Sequence, residues 1–125
     1  MSQVLQAEPV ELRPDWLYEK SGQRQHYTIQ ALQGGRVIGR AHGSFELNAD
    51  FVVDKIEMLP QHRSRGYGSL LIIELRLKAR SLSCTDFIFR GVLSSNVRAI
   101  GLYESLGALA VHAVDDLYDF VISPP

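Results

Sequence analysis

The residues best placed to do chemistry lie in one short run, Leu59-Pro60-Gln61-His62-Arg63-Ser64-Arg65-Gly66-Tyr67-Gly68-Ser69. An extended apolar segment ends there at a proline. A loop of basic and small residues follows, and a helical pattern begins. The first turn of a helix has backbone N–H groups without intrahelical partners and a partial positive charge. Phosphate binds readily at such a place. Glycine at 66 and 68 lets the backbone approach a ligand with no Cβ in the way, and Arg63 and Arg65 add charge for an anion. A P-loop needs Gly-Lys-Ser/Thr at its end, but Gly68 is followed by Ser69-Leu70. The dinucleotide fingerprint needs a third glycine where Leu71 stands.

The elements that must position this loop follow from periodicity. Val10-Glu11-Leu12 alternates briefly before Pro14, and Asp15 to Gln25 is polar enough to predict no more than one helical turn. From His26 a period of two sets in, with Tyr27, Ile29 and Ala31 alternating against Thr28 and Gln30. Gly34-Gly35 turns the chain, and Val37 to Leu47 resumes the extended pattern as the second arm of a hairpin. Phe51 to Leu59 is a third strand. The helix over Tyr67 to Leu82 carries Leu71, Ile72, Leu75, Ala79 and Leu82 on one stripe, with Glu74 and Lys78 paired on the polar side. Thr85 to Val92 is strand-like. Ser95 or Asn96 caps a second helix, which bears Ile100, Tyr103 and Leu106 and stops at Gly107. Leu109 to Val114 and Tyr118 to Ile122 are two last strands. The expectation is one mixed α/β (α+β) domain over residues 1–125, built on a single sheet.

The later segment Ser95-Asn96-Val97-Arg98-Ala99-Ile100-Gly101-Leu102-Tyr103-Glu104-Ser105-Leu106-Gly107-Ala108 is distinctive. Taken with Met58 to Gly68, it resembles the GNAT superfamily of N-acetyltransferases. Those proteins show a hydrophobic strand, a proline and Arg-x-x-Gly-x-Gly opening a helix. Further on they show Asn, an Ala-Ile pair, Leu-Tyr and Leu-Gly before a final hairpin. The resemblance runs over about residues 26 to 122. It implies a mostly antiparallel sheet flanked by helices and splayed between the strand before the phosphate loop and the strand after its helix. It implies acetyl-CoA as co-substrate and a primary amine, small or on a polypeptide, as acceptor. Met58 would meet the pantetheine arm along the free strand edge. Backbone amides of Ser64, Arg65, Gly66, Tyr67, Gly68 and Ser69, with Arg63, would hold the pyrophosphate. Asn96 would contact the cofactor arm, and Tyr103 would protonate the departing thiolate.

The chemistry agrees with that last role, since a phenol with a pKa of about 10 can supply the proton a thiolate needs. An amine must be neutral to attack, which asks for a base. Many family members carry a glutamate on the strand before the second motif, where this chain has Arg90-Gly91-Val92. The third strand offers Asp54 and Glu57. Flanking by Ile56 and Met58 predicts a desolvated Glu57 with a raised pKa. Strict alternation puts Asp54 on the face of Ile56 and Met58 instead, and a bulge would reverse that assignment. Both remain alternatives, with His42 and His62 as relays. Family members also place two helices between their first and second strands. Only Pro14 to Gln25 stands there, so the acceptor side is open or closed by a second subunit, as in a homodimer. A rival to an enzyme is a GNAT-like module that binds acyl-CoA without turnover.

The bulk properties agree with this class. A net charge of −1 argues against a nucleic-acid partner, although Arg63, Arg65, Arg76, Lys78 and Arg80 could form a local basic patch. One cysteine, Cys84, makes no internal disulfide. Four histidines and that cysteine show no metal-ligand spacing. Met1 to Pro9 has no apolar core of a signal peptide and no run is long enough for a membrane span, so the expectation is a cytoplasmic protein without a membrane partner.

Overall fold

The computed structural model describes residues 9–63 and 66–125. Ser64, Arg65 and residues 1–8 of the leading segment, where no signal peptide is expected, therefore lie outside the described residues. Seven strands form one sheet in the order β1-β2-β3-β4-β5-β7-β6. They are β1 (Val10–Ser21), β2 (Arg24–Gln33), β3 (Arg36–Phe45), β4 (Asp50–Met58), β5 (Asp86–Leu93), β6 (Leu109–Val114) and β7 (Leu117–Ile122). Helix α1 (Tyr67–Ser81) joins β4 to β5, and α2 (Val97–Ser105) joins β5 to β6. Only the β4–β5 pair is parallel, which is what a helical crossover produces.

The expected elements are present within a residue or two, with one correction. The polar stretch Asp15 to Gln25 holds no helical turn. β1 runs through it to Ser21 and pairs with β2 across a tight turn at Gly22. Its register shifts between Asp15 and Glu19. Trp16, inside that irregularity, packs on Tyr27 with ring centroids 5.5 Å apart, and the Lys78 ammonium of α1 lies 5.0 Å from its centroid. β1 is an edge strand, where charges and Pro14 are tolerated because one backbone edge faces solvent.

One face of the sheet carries the core. α1 buries Leu71, Ile72, Leu75 and Ala79 in one cluster with Tyr27, Ile29, Phe51, Phe87 and Phe89. Ring contacts run across this face from Trp16 through Tyr27, Phe51, Phe87 and Phe89 to Tyr103 of α2, so both helices lie on it. Each such pair adds about 0.5–1.5 kcal/mol beyond area burial. Alternation sends His26, Thr28, Gln30, Arg40 and His42 to the opposite face, which no helix covers among the described residues.

A bulge controls what β4 presents. Gly43 pairs with Val53 and His42 with Lys55, so Asp54 is the extra residue. Beyond it, Ile56 and Met58 join the helical side, while Lys55 and Glu57 sit opposite His42 and Arg40 on the other. Gly43 makes this fit possible. A Cβ there would run into the Val52 carbonyl oxygen and the Tyr27 hydroxyl, which are joined by a hydrogen bond of 2.8 Å donated by the tyrosine. Gly43→Ala is expected to lower folding stability by about 1–3 kcal/mol, read as a lower denaturant midpoint with an unchanged slope.

Candidate functional site

The site exists because β4 and β5 stop pairing. They hydrogen-bond only from Asp50–Asp86 to Val53–Phe89. At the next position both strands are irregular: β4 bulges at Asp54, and β5 breaks register with β7 between Phe89 and Val92. Gly91 there has φ +70°, and its N–H donates to an Asp119 carboxylate oxygen at 3.0 Å. At the vertex, Arg90 Nε and Nη2 reach Asp54 Oδ1 at 2.8 and 2.7 Å. From there to Met58, the edge of β4 facing β5 has no strand partner among the described residues, so its backbone groups can meet an amide-bearing ligand.

The gap opens into a cleft of about 540 Å³ lined by Ile56, Glu57 and Met58 from β4 and by Gly66, Gly68, Ser69 and Ile72 from α1 and its approach. His62 and Arg63 of the preceding loop line it too, with Asn96, Arg98, Ala99, Leu102 and Tyr103 from the α2 side. Gly66 precedes α1 with φ +81°, a left-handed conformation suited to glycine. Among the described residues no side chain caps α1, and no acidic residue occupies its first turn. The amides and dipole of a 15-residue helix therefore face the cleft with no acidic side chain of the first turn beside them. Asn96 caps α2 by accepting from Ala99 N–H at 3.2 Å, and its amide nitrogen donates to no described residue.

Tyr103 is 6 % exposed. Its ring stacks on Phe89 at 3.8 Å and 9° and tilts against Phe120. Burial pushes its phenol up to about 12, so it keeps its proton at neutral pH and can act as an acid. Glu57 differs from the sequence expectation. Its carboxyl is held below the usual range, not above it, mainly because Arg40 Nε donates to Oε1 at 2.7 Å, with Lys55 3.7 Å from Oε2. The arginine across the ladder outweighs the apolar neighbours on Glu57's own strand.

The cleft thus brings together Glu57, Met58, Arg63, Gly66, Gly68, Ser69, Asn96 and Tyr103. Tyr67 stands apart, its hydroxyl accepting from Gln33 at 3.2 Å and its ring against His62. Asp54 lies outside the cleft, paired to Arg90. Arg98 is a lining residue that motif reading passed over. Its signal was a cation in the first turn after Asn96. His62 Nδ1 is buried without a hydrogen-bond partner among the described residues. Of the proposed basic patch, Arg76 and Arg80 donate instead to the Pro125 carbonyl, each at 2.9 Å.

Compared with family models, the chain matches the acetyltransferase (GNAT) family over residues 2–108. It belongs to that family. No curated protein matches it by sequence. Among solved structures it is similar to the PaiA N-acetyltransferase of Thermoplasma acidophilum in complex with coenzyme A, at 12 % identity and TM-score 0.72. That match covers 78 % of this chain and 60 % of the other, so this chain spans well under two thirds of that relative's length. A GNAT acetyltransferase of Elizabethkingia anophelis with acetyl-CoA bound is 11 % identical, with TM-score 0.71, and 91 % of this chain covers 97 % of it. An Arabidopsis thaliana protein in complex with the bisubstrate analogue CoA-Ac-MVNAL is 18 % identical, with TM-score 0.67 over 77 % of this chain and 72 % of its own. At these identities the likeness shows the fold, a GNAT sheet with its two crossover helices. Among the described residues of this GNAT domain no group of three His, Cys, Asp or Glu is placed to hold a metal, and no helix is long and apolar enough to cross a membrane.

Burial also raises the Tyr27 phenol well above its ordinary value. Both tyrosines therefore favour their protonated forms in the folded chain. Their contribution to stability is complete below the unfolded value of about 10 and is lost as pH rises through the folded values. A phenolate absorbance titration is expected to show Tyr103 ionising near pH 12, with stability falling from about pH 10 upward. Ionisation of Tyr103 at the value of a free phenol, about 10, would contradict the buried placement.

Proposed function

We propose that this GNAT domain transfers an acetyl group from acetyl-CoA to a primary amine by direct attack. The observation that carries this reading is the convergence, in one cleft, of an uncapped helix start, an unpaired strand edge and a protonated buried phenol. Acetyl-CoA would supply a thioester with a diphosphate at its far end. The first turn of α1 and Arg63 would hold the diphosphate. The free edge of β4 through Met58 would align the pantetheine amides. Asn96 and Arg98 would close the other wall. Tyr103 would give its proton to the leaving sulfur.

For the base, the geometry favours Glu57 over Asp54. Glu57 lines the cleft, whereas Asp54 is engaged by Arg90 at the vertex. A carboxylate held low by Arg40 is a weak proton acceptor, so it serves an amine that has largely lost its proton, directly or through water. The rate should then rise with pH until the amine, not a carboxylate, is deprotonated. The same weak basicity supports a second reading, a module that binds acyl-CoA without turnover.

Thiol release from acetyl-CoA over a panel of amines separates the two readings. Tyr103→Phe is expected to lower kcat about tenfold or more while the melting shift given by acetyl-CoA persists. Glu57→Gln should lower kcat comparably and Asp54→Asn less; the reverse order would make Asp54 the base. Arg63→Ala should shrink the melting shift. If acetyl-CoA gives the wild type no melting shift, the cofactor assignment fails. A shift with no thiol release from any amine would favour the binding module.

A further inference from the structure

The face of β2, β3 and β4 opposite the helices holds a second concavity, a bay of about 490 Å³. It is lined chiefly by Arg40 and His42 of β3 and by Asp54, Lys55 and Glu57 of β4, with Glu19 on the β1 side. Among the described residues Glu57 is the single residue that lines both this bay and the cleft. Glu57 is therefore the point at which a molecule seated in the bay comes nearest the cleft.

The charges around that meeting point do not balance. Glu57 faces two cations, Arg40 at 2.7 Å and Lys55 at 3.7 Å. The next carboxylate along β4, Asp54, is taken by Arg90. Arg40 uses only its Nε in pairing with Glu57. Its two terminal nitrogens make no hydrogen bond with a described residue, and they present the planar donor fork that suits a carboxylate. The Lys55 ammonium has no closer partner than Glu57. The remaining polar groups of the bay are Thr28, Gln30, His26 and His42, with one further carboxylate, Glu19, on β1 beside His26.

Resting on the acetyltransferase reading, we propose that the acceptor is a small amine that also carries a carboxylate, of the amino-acid class, held in this bay by Arg40 and Lys55. The amino group would lie at Glu57 and point into the cleft. The carboxylate would take the free fork of Arg40, with Lys55 as the second cation. Because Arg40 touches Glu57, the anchoring and reacting groups of the acceptor must be separated by only a few bonds. A polyamine would bring extra positive charge against two cations that share one carboxylate. A simple alkylamine would leave the fork to water. The bay's volume is that of a small-molecule site. In the transfer itself the amine nitrogen bonds to the acetyl carbon, the carbon–sulfur bond breaks, the amine's proton goes to Glu57 or to water, and the thiolate takes a proton from Tyr103.

The test compares amino acids with their own carboxamides, beside spermidine and a short peptide blocked at its C-terminus. Thiol release is measured for the wild type and for Arg40→Gln, Arg40→Lys and Lys55→Gln. All three variants change exposed side chains. For the wild type, kcat/KM is expected to be about tenfold or more higher for an acid than for its amide. In Arg40→Gln that ratio should fall towards one, with Lys55→Gln intermediate. Taking the acid-to-amide ratio removes any effect of Arg40 on Glu57, which both substrates share. Amides, spermidine or the blocked peptide used as well as the acids would overturn the proposal. Calorimetric binding of the same pairs to the CoA-loaded protein separates the two claims. Carboxylate-dependent binding lost in Arg40→Gln, without thiol release, would sink the transferase reading and leave the bay assignment standing. Thiol release with no acid preference would do the opposite.

Discussion

The whole site depends on one interruption of hydrogen bonding, the point at which β4 and β5 cease to be neighbours. A parallel pair with a helical crossover would ordinarily continue along both strands. Here each strand carries its own irregularity at the same level, the Asp54 bulge on one side and the Arg90–Gly91 kink on the other. The Asp54–Arg90 pair spans the two where the ladder ends. It is partly exposed, so its worth lies less in stability than in fixing where the split begins. Every later feature takes its position from that point: the free strand edge, the uncapped start of α1 and the placement of Tyr103.

Two ionisable groups on either side of the split are shifted in opposite directions by different physics. Tyr103 is moved by desolvation alone, because its ring is enclosed by Phe89 and Phe120. Glu57 is moved chiefly by a hydrogen-bonded cation, despite Ile56 and Met58 beside it. The phenol is thus held firmly protonated and the carboxylate firmly ionised. Such separation of two groups is how acid and base roles are assigned at one pH.

Much of this was readable from the chain before folding was considered. The α1 stripe, Pro60, the glycines at 66 and 68 and the Asn96 cap act through local geometry, and local signals survive in sequence. β1 was misread because an edge strand with one solvent-facing side need not alternate in polarity, and Trp16 finds its partners only in β2 and α1. The bulge at Asp54 left no mark on its own residues. It follows from how closely Gly43 approaches Val52 across the ladder. The direction of the Glu57 shift was equally hidden, since it depends on pairing with a residue on the preceding strand, and register is a tertiary property.

The direct hairpin from β1 to β2 changes what kind of surface the proposed acceptor side is. Where helices or long loops wall a binding site, its shape follows their mobility. Here the floor is a hydrogen-bonded lattice, with strands about 4.8 Å apart and same-face side chains two residues apart along each. His26, Thr28 and Gln30, then His42 and Arg40, then Lys55 and Glu57 form three parallel rows. Each position can be changed without altering the backbone beneath it. Selectivity in such a protein can drift one lattice point at a time, with the split that positions the chemistry left untouched.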